Sequence, residues 1–489
     1  MELSEIINKV SDLVWGAPLI ILCLGAGIIF SVWTRFFQLR HFKNVVVQLW
    51  HGKESEKGLS SLQSFAMALG GRVGTGNIAG VATAIALGGP GALFWMWVLA
   101  FLGAGSAFIE DSLAQVWKEK RTGEYRGGPA YYIERGLGLK WYASIFAVAT
   151  VISCGLLLPG IQSNSIALAF DSSFGIPTWI SGTVATVLLA LVIFGGARRI
   201  GRVAQVVVPF MAIAYMIMAL AVVVMDIDRV PAIFGLIFSS AFGAHGVFGG
   251  IVGSAIAWGV KRGIFSNEAG QGSSPIAAAA AEVKHPAQQG IVQAFSVYVD
   301  TIGVCTATGL MILLTDCYNV IDKVVDGQVT YLVHNLPDAE IGPHYTQAAI
   351  DTIMPGVPGF GSGFVAIALF FFAFTTVMAY AYYAESNMAY LIRNKNGSRL
   401  SITGIRTGLL CMAFYGSMLT ATMMWAMGDI GVGLMAWLNL IAILCLGGVG
   451  VKVLKDYERQ LKEGCPITFE PEKLGIKNTE CWGAKQSDS

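Results

Sequence analysis

Leu69-Gly70-Gly71-Arg72-Val73-Gly74-Thr75-Gly76-Asn77 interrupts an otherwise apolar stretch: Phe65 to Leu69 precedes it, and the largely apolar Ile78 to Leu87 follows. Glycine is a poor helix former, so four glycines within the seven residues from Gly70 to Gly76 predict an unwound turn. At membrane depth, irregular backbone is tolerated only where it is buried in protein or lines a cavity. There, freed N–H groups at a half-helix end attract an anion and freed carbonyls attract a cation. The stretch therefore predicts a site for a small zwitterion and a metal ion within the bilayer.

The rest of the chain fits that setting. Of its 489 residues, 55% are hydrophobic and 13% charged, against about 25% charged in soluble domains. Eleven apolar segments are legible, at 15–34, 60–87, 91–117, 141–169, 177–195, 203–225, 232–260, 288–314, 359–392, 404–425 and 430–451. Each can cross about 30 Å of hydrocarbon, for which about 20 residues suffice. Glu2, Glu5 and Asp12 against Lys9 make the amino-terminal stretch unlike a signal peptide. Alternating the loops puts 28 of the 32 basic residues on one side, Lys261 and Arg262 after segment seven among them. The positive-inside rule makes that side cytoplasmic, with the amino terminus outside and the tail inside, in a plasma (inner) membrane. A net charge of +1 argues against a nucleic-acid partner, and the eight cysteines show no metal-binding spacing.

Segment seven carries a second glycine cluster, Phe242-Gly243-Ala244-His245-Gly246-Val247-Phe248-Gly249-Gly250-Ile251-Val252-Gly253. Five segments separate the two clusters, an odd number, so two halves built around them would be inverted, with a midplane site between two discontinuous helices. The expected organisation is an extra amino-terminal helix and loop (1–59), a first repeat (60–225), a second repeat (226–455) and a cytoplasmic tail (456–489). The acidic connection 315–358 reads as a solvated loop, and the tail as a short helix followed by a disordered polar segment.

Three motifs then combine: Gly74-Thr75-Gly76-Asn77-Ile78-Ala79-Gly80, the Gly88-Gly89-Pro90-Gly91 turn with its aromatic run to Gly103, and Phe265-Ser266-Asn267-Glu268-Ala269-Gly270-Gln271-Gly272. Together they resemble the alanine/glycine:cation symporter family, over roughly residues 15 to 455. The resemblance implies an all-α polytopic membrane protein with a leucine-transporter-type five-plus-five inverted repeat and one extra helix. It implies symport of a small neutral amino acid, alanine or glycine, with sodium or sometimes protons, and no organic cofactor. It places a sodium ion between the carbonyls of Gly70, Val73 and Phe372 and the hydroxyls of Thr375 and Thr376. The bland alternative is that both hydroxyls bond back to their own helix. Gly74, Thr75, Gly76 and Asn77 would face the substrate carboxylate, with Asn77 alternatively completing a second ion site. Gln162 and Asn164 are candidate substrate contacts or ordinary interhelical hydrogen bonds. Phe248, Gly249 and Gly250 would form the facing wall, and His245 is a structural histidine or a proton site.

Arg72 has no role implied by the resemblance. A guanidinium at membrane depth needs a partner. The candidates are Asp300 and Glu385, or else a substrate side chain. Ser266 to Glu268 read as a helix cap at the cytoplasmic end of segment seven. A glutamine symporter is the alternative within the class. An ion channel is the alternative outside it, and no HExxH, GxSxG or clustered metal ligands point to an enzyme.

Overall fold

The computed structural model describes residues 3–41, 58–121, 124–325, 328–337, 339–354, 356–392 and 395–482. Lys43, Lys53, Lys57, Arg393 and Lys485 of the basic set, and Asp326 and Asp338 of the acidic connection, lie outside the described residues. Among the described residues the fold is helical apart from two short antiparallel hairpins, Glu119–Arg121 with Glu124–Arg126 and Asn319–Val325 with Gln328–His334. Among the described residues, seven helices are long and apolar enough to span a membrane: Glu5–Trp33, Gly91–Val116, Lys140–Phe174, Gly196–Met225, Pro286–Leu314, Phe360–Leu391 and Ala421–Glu463. Gly196–Met225 shows what faces lipid: Val206, Phe210, Ile213, Ile217, Leu220 and Val224 recur every three or four residues and are all exposed. A stripe of that length would aggregate in water and is at home in hydrocarbon.

Gly91–Val116 is the axis of the molecule, and Val252–Asn267 runs parallel to it. A side-chain carbon at Gly259 would meet Trp95 at 2.6 Å, one at Gly263 would meet Leu99 at 2.6 Å, and one at Gly103 would meet Ala269 at 3.0 Å. The spacing of these glycines lets the two backbones approach closely, as in other small-residue membrane interfaces.

The first interruption is shorter than its glycines suggest. Ser61–Arg72 starts at a Ser60/Gln63 capping box and ends at Val73 (ψ 89°); a wide π-type turn, Gly76–Gly80, then leads into Val81–Gly88. None of Gly70, Gly71, Gly74, Gly76 or Gly80 has a positive φ. Close approach is what demands glycine here. A β-carbon at Gly74 would sit 2.5 Å from Thr376 Oγ1, and one at Gly76 would sit 3.1 Å from both Phe265 and Ser266.

The second interruption is not where the 242–253 cluster placed it. Residues 242–251 do form a turn, between Val230–Ala241 and Val252–Asn267. That turn lies beside Gly89, at the far end of Gly91–Val116. The break at the depth of the first one is Glu268–Ser273, between Val252–Asn267 and Ser274–Ala279, with left-handed Glu268 (φ 56°), Gly270 (φ 82°) and Gly272 (φ 87°). Glycine clusters mark both kinds of turn alike, and only packing against Gly103 and Ser106 sets the depth.

Other expectations also change. Lys261 and Arg262 are not in a basic loop; they are buried in Val252–Asn267 and paired with Asp429. The apolar run 404–425 is split, Lys395–Gly416 ending before Ala421–Glu463 begins. The 315–358 connection is not a solvated loop. Its hairpin is followed by Pro343–Ile353, whose Tyr345, Ala349 and Ile350 are buried, and Asp351 caps Phe360–Leu391 through Gly361 N–H (2.7 Å) and the Ser362 hydroxyl (2.9 Å). The tail is ordered through residue 482. Phe469, Ile476 and Cys481 are buried, and Trp482 Nε1 donates to Gln115 O at 2.8 Å. Hydropathy misses such straps because a few aromatic anchors, spaced irregularly, hold them.

Candidate functional site

The two breaks meet on three helices. At the first, Asn77 Oδ1 accepts from Gly74 N–H (2.8 Å), and Gln162 Oε1, from Leu158–Phe174, accepts from Thr75 N–H (3.1 Å) and from the Thr75 hydroxyl. Asn77 Nδ2 donates to Asp300 Oδ1 (2.7 Å). The Ser266 and Thr301 hydroxyls donate to Asp300 Oδ2, each at 2.8 Å. Asp300 lies in the wide turn Val299–Cys305, which bends Pro286–Leu314 toward the breaks. At the second break, Glu110 Oε1 accepts from Gly270 N–H (2.9 Å), and Asn439 Nδ2 donates to Gly270 O (2.9 Å) and to Glu110 Oε2 (2.6 Å). Side chains of neighbouring helices thus satisfy the backbone groups that unwinding frees.

The oxygens expected to hold a cation converge. Thr376 Oγ1 lies 2.9 Å from Gly70 O, 3.4 Å from Val73 O and 3.0 Å from Phe372 O. Thr375 Oγ1 lies 3.0 Å from Phe372 O and 3.1 Å from Phe371 O. A hydroxyl has one proton, so Thr376 can donate to only one of its three carbonyls. The Gly70 and Val73 carbonyls reach it from the first break, while Phe372 O belongs to its own helix; carbonyl and hydroxyl oxygens gathered in this way are the ligand type of a hard cation.

Next to this cage, Phe265 and Trp425 meet with ring centroids 4.9 Å apart, beside Gly76 and Gly80. Arg262 lies 4.5 Å above the Trp425 ring and grips Asp429 bidentately (2.9 and 2.8 Å), and Lys261 adds a contact at 2.8 Å. These residues lie between the breaks and the Gly89 end of the molecule. They were missed because Lys261 and Arg262 look like loop charges in one dimension; Asp429 opening segment eleven was the available signal.

Several expected site residues lie elsewhere. Phe248 is buried against Gly89, stacked on His245 at 4.9 Å, and Gly249 and Gly250 flank it, all distant in the fold from Thr75. Asn164 does not face the breaks; its Nδ2 donates to Gly416 O (3.0 Å) and Leu419 O (2.6 Å), holding the split between the last two helices. Glu385 is claimed at the basic face by Arg126 (2.9 Å) and Arg406 (3.0 Å). Arg72 pairs with neither Glu385 nor Asp300. Its Nη1 donates to Gln293 O (2.7 Å) and to the Ser296 hydroxyl.

Apolar spanning helices, two of them interrupted where carbonyls, hydroxyls and buried polar side chains converge, define a membrane transporter. The family model of the sodium:alanine symporters matches residues 1–471, and the chain belongs to that family. It is 51% identical over 435 residues to the sodium/proton-dependent alanine carrier protein of Bacillus sp. (strain PS3), covering 88% of this chain and 95% of that one. It is 40% identical over 466 residues to the sodium/alanine symporter of Methanococcus maripaludis, covering 94% and 98%. A crystal structure of a manganese transporter variant from Eremococcus coleocola shares the fold, with TM-score 0.51 and 12% identity over 85% of this chain and 89% of that one.

Proposed function

We propose that this protein imports alanine, or glycine, by symport with sodium. The observation that carries the reading is the convergence of the Gly70, Val73 and Phe372 carbonyls on the single Thr376 hydroxyl. Sodium occupies that cage together with the Thr375 hydroxyl. The amino acid lies beside it, its carboxylate drawn to the N–H groups of Gly74, Thr75 and Gly76, the first also bonded by Asn77 and the second by Gln162. Because sodium holds both the first break and Phe360–Leu391, its binding fixes the pose of the N–H groups that take the carboxylate.

Of eleven spanning segments, the ten after the first form two inverted halves, 60–225 and 226–455, with one break in each half. The tail-bearing basic face is cytoplasmic. Phe265, Trp425 and the Arg262–Asp429 pair then close the outer path, and alternating access moves the broken helices against the rest.

Uptake of labelled alanine, glycine and glutamine into proteoliposomes, with and without an inward sodium gradient, tests this. Alanine accumulation that ignores the sodium gradient would defeat it.

A further inference from the structure

On the basic-face side of the breaks lies a set of buried charges that neither the sodium cage nor the carboxylate site uses. Glu110, Asp111, Glu268 and Asp300 are all fully buried, and Arg72 is 1% exposed. They act on one another electrostatically. Four carboxylates against one guanidinium leave an excess of negative charge that burial makes costly unless each charge is bonded or neutralised.

Three of the four acids are held. Glu110 is bonded by Gly270 N–H and Asn439, Asp300 by Asn77, Ser266 and Thr301, and Asp111 by the Ser274 hydroxyl at 3.1 Å. Glu268 differs. Neither of its carboxyl oxygens meets a hydrogen-bond donor, although the Ser273 and Tyr380 hydroxyls are close enough to act on it. Arg72 Nε and Nη2 and the Tyr383 hydroxyl are also unpartnered. Arg72 and Glu268 form no ion pair within 4 Å, yet Glu268 lies against Gly71, the residue before Arg72, and the two charges interact. A side-chain carbon at Gly71 would lie 2.8 Å from Tyr383 Oη and 3.5 Å from Glu268 Oε2. Glu268 is also the residue that ends Val252–Asn267. An ionised carboxylate there opposes the negative end of the helix dipole. Around it stand Arg72 from the first broken helix, Glu110 and Asp111 from Gly91–Val116, Asp300 from the wide turn, Tyr380 and Tyr383 from Phe360–Leu391, and Cys154.

We propose that the Glu268 carboxyl is a proton-binding site linked to substrate binding, loaded while Arg72 stands apart and emptied when Arg72 closes on it. The step balances simply. The carboxyl O–H bond breaks, the proton passes to water on the basic face, and the carboxylate left behind pairs with the idle Nε and Nη2 of Arg72. The two groups sit on the two interrupted helices, so the movement that exposes the site to one side also changes their separation. The inference rests on the transport reading and assigns a proton one residue within it.

Calorimetry of alanine binding to the purified full chain in saturating sodium tests it. Two buffers of different ionisation enthalpy give the protons exchanged per alanine bound, between about pH 6 and 8. The wild-type chain should exchange protons, Glu268→Gln should reduce that number about tenfold, and Glu268→Asp should restore it with a displaced pH midpoint. Wild-type binding without proton exchange, or undiminished exchange in Glu268→Gln, overturns the proposal and leaves sodium symport standing. A protein that binds no alanine in sodium loses both readings. Should Glu268→Gln not fold, Glu268→Asp decides, and an unmoved midpoint counts against the site.

Discussion

Replacing Thr376 by valine separates the cation cage from a mere helix-bonding threonine. The substitution keeps the β-branched shape and removes one oxygen, the one within 3.4 Å of the Gly70, Val73 and Phe372 carbonyls. A polar contact to a charged group contributes about 1.5–3 kcal/mol. At about 1.4 kcal/mol per tenfold, losing it should raise the half-saturating sodium concentration roughly 10- to 150-fold. Thr375→Val removes a hydroxyl that also bonds Phe371 O on its own helix, so its effect should fall at the lower end of that range. Without sodium, Thr376→Val should also melt at lower temperature, because the carbonyls lose their one shared donor. The assay is sodium-dependent alanine uptake in proteoliposomes, matched to thermal unfolding of the same preparation with and without sodium. If Thr376→Val folds, transports alanine and keeps wild-type sodium dependence, the cage holds no sodium and the coupling argument fails.

Asn164→Ala should lower stability by about 1–3 kcal/mol by orphaning the Gly416 and Leu419 carbonyls. The KM for alanine should stay constant, and a large KM change would return Asn164 to the substrate site. Asp429→Asn leaves Lys261 and Arg262 buried without their carboxylate, which should cost about 3–5 kcal/mol and show as reduced folded yield. Normal yield and normal uptake would mean that the pair is idle. Arg72→Ala removes the donor to Gln293 O and Ser296, so uptake of alanine and glutamine should fall together; an altered ranking in a well-folded mutant would make Arg72 a substrate-reading group. His285, at the basic end of Pro286–Tyr298, is pushed by burial down to about 4 from its usual 6.5, more than Asp456 draws it up. The unfolded chain therefore takes up a proton near pH 6.5 that the folded chain refuses. Stability present above that value should fall by up to about 3 kcal/mol as pH drops toward 4. His285→Asn, which keeps a side-chain acceptor for the helix cap, should flatten the fall in unfolding temperature.

Much of this protein's class, and the position of its first helix break, can be read from the residues alone. Hydropathy marks membrane helices because the bilayer rewards long unbroken apolar runs whatever surrounds them. The Gly70–Gly76 stretch stands out because glycines rarely cluster within a helix, whereas a role for the Thr375–Thr376 pair came only from the family resemblance. Which glycine cluster meets the first break depends on packing. Residues 242–251 and 268–273 both carry turn glycines, and only the parallel packing of Val252–Asn267 on Gly91–Val116 sets one at the first break and the other beside Gly89. Packing likewise set the partners of the buried charges Arg262, Glu385 and Arg72. Arg262 found Asp429, Glu385 found Arg126 and Arg406, and Arg72 found a carbonyl and a hydroxyl. Composition gives each charge its cost, but the partner that offsets it comes from another helix, hundreds of residues away in places, where no local pattern can point.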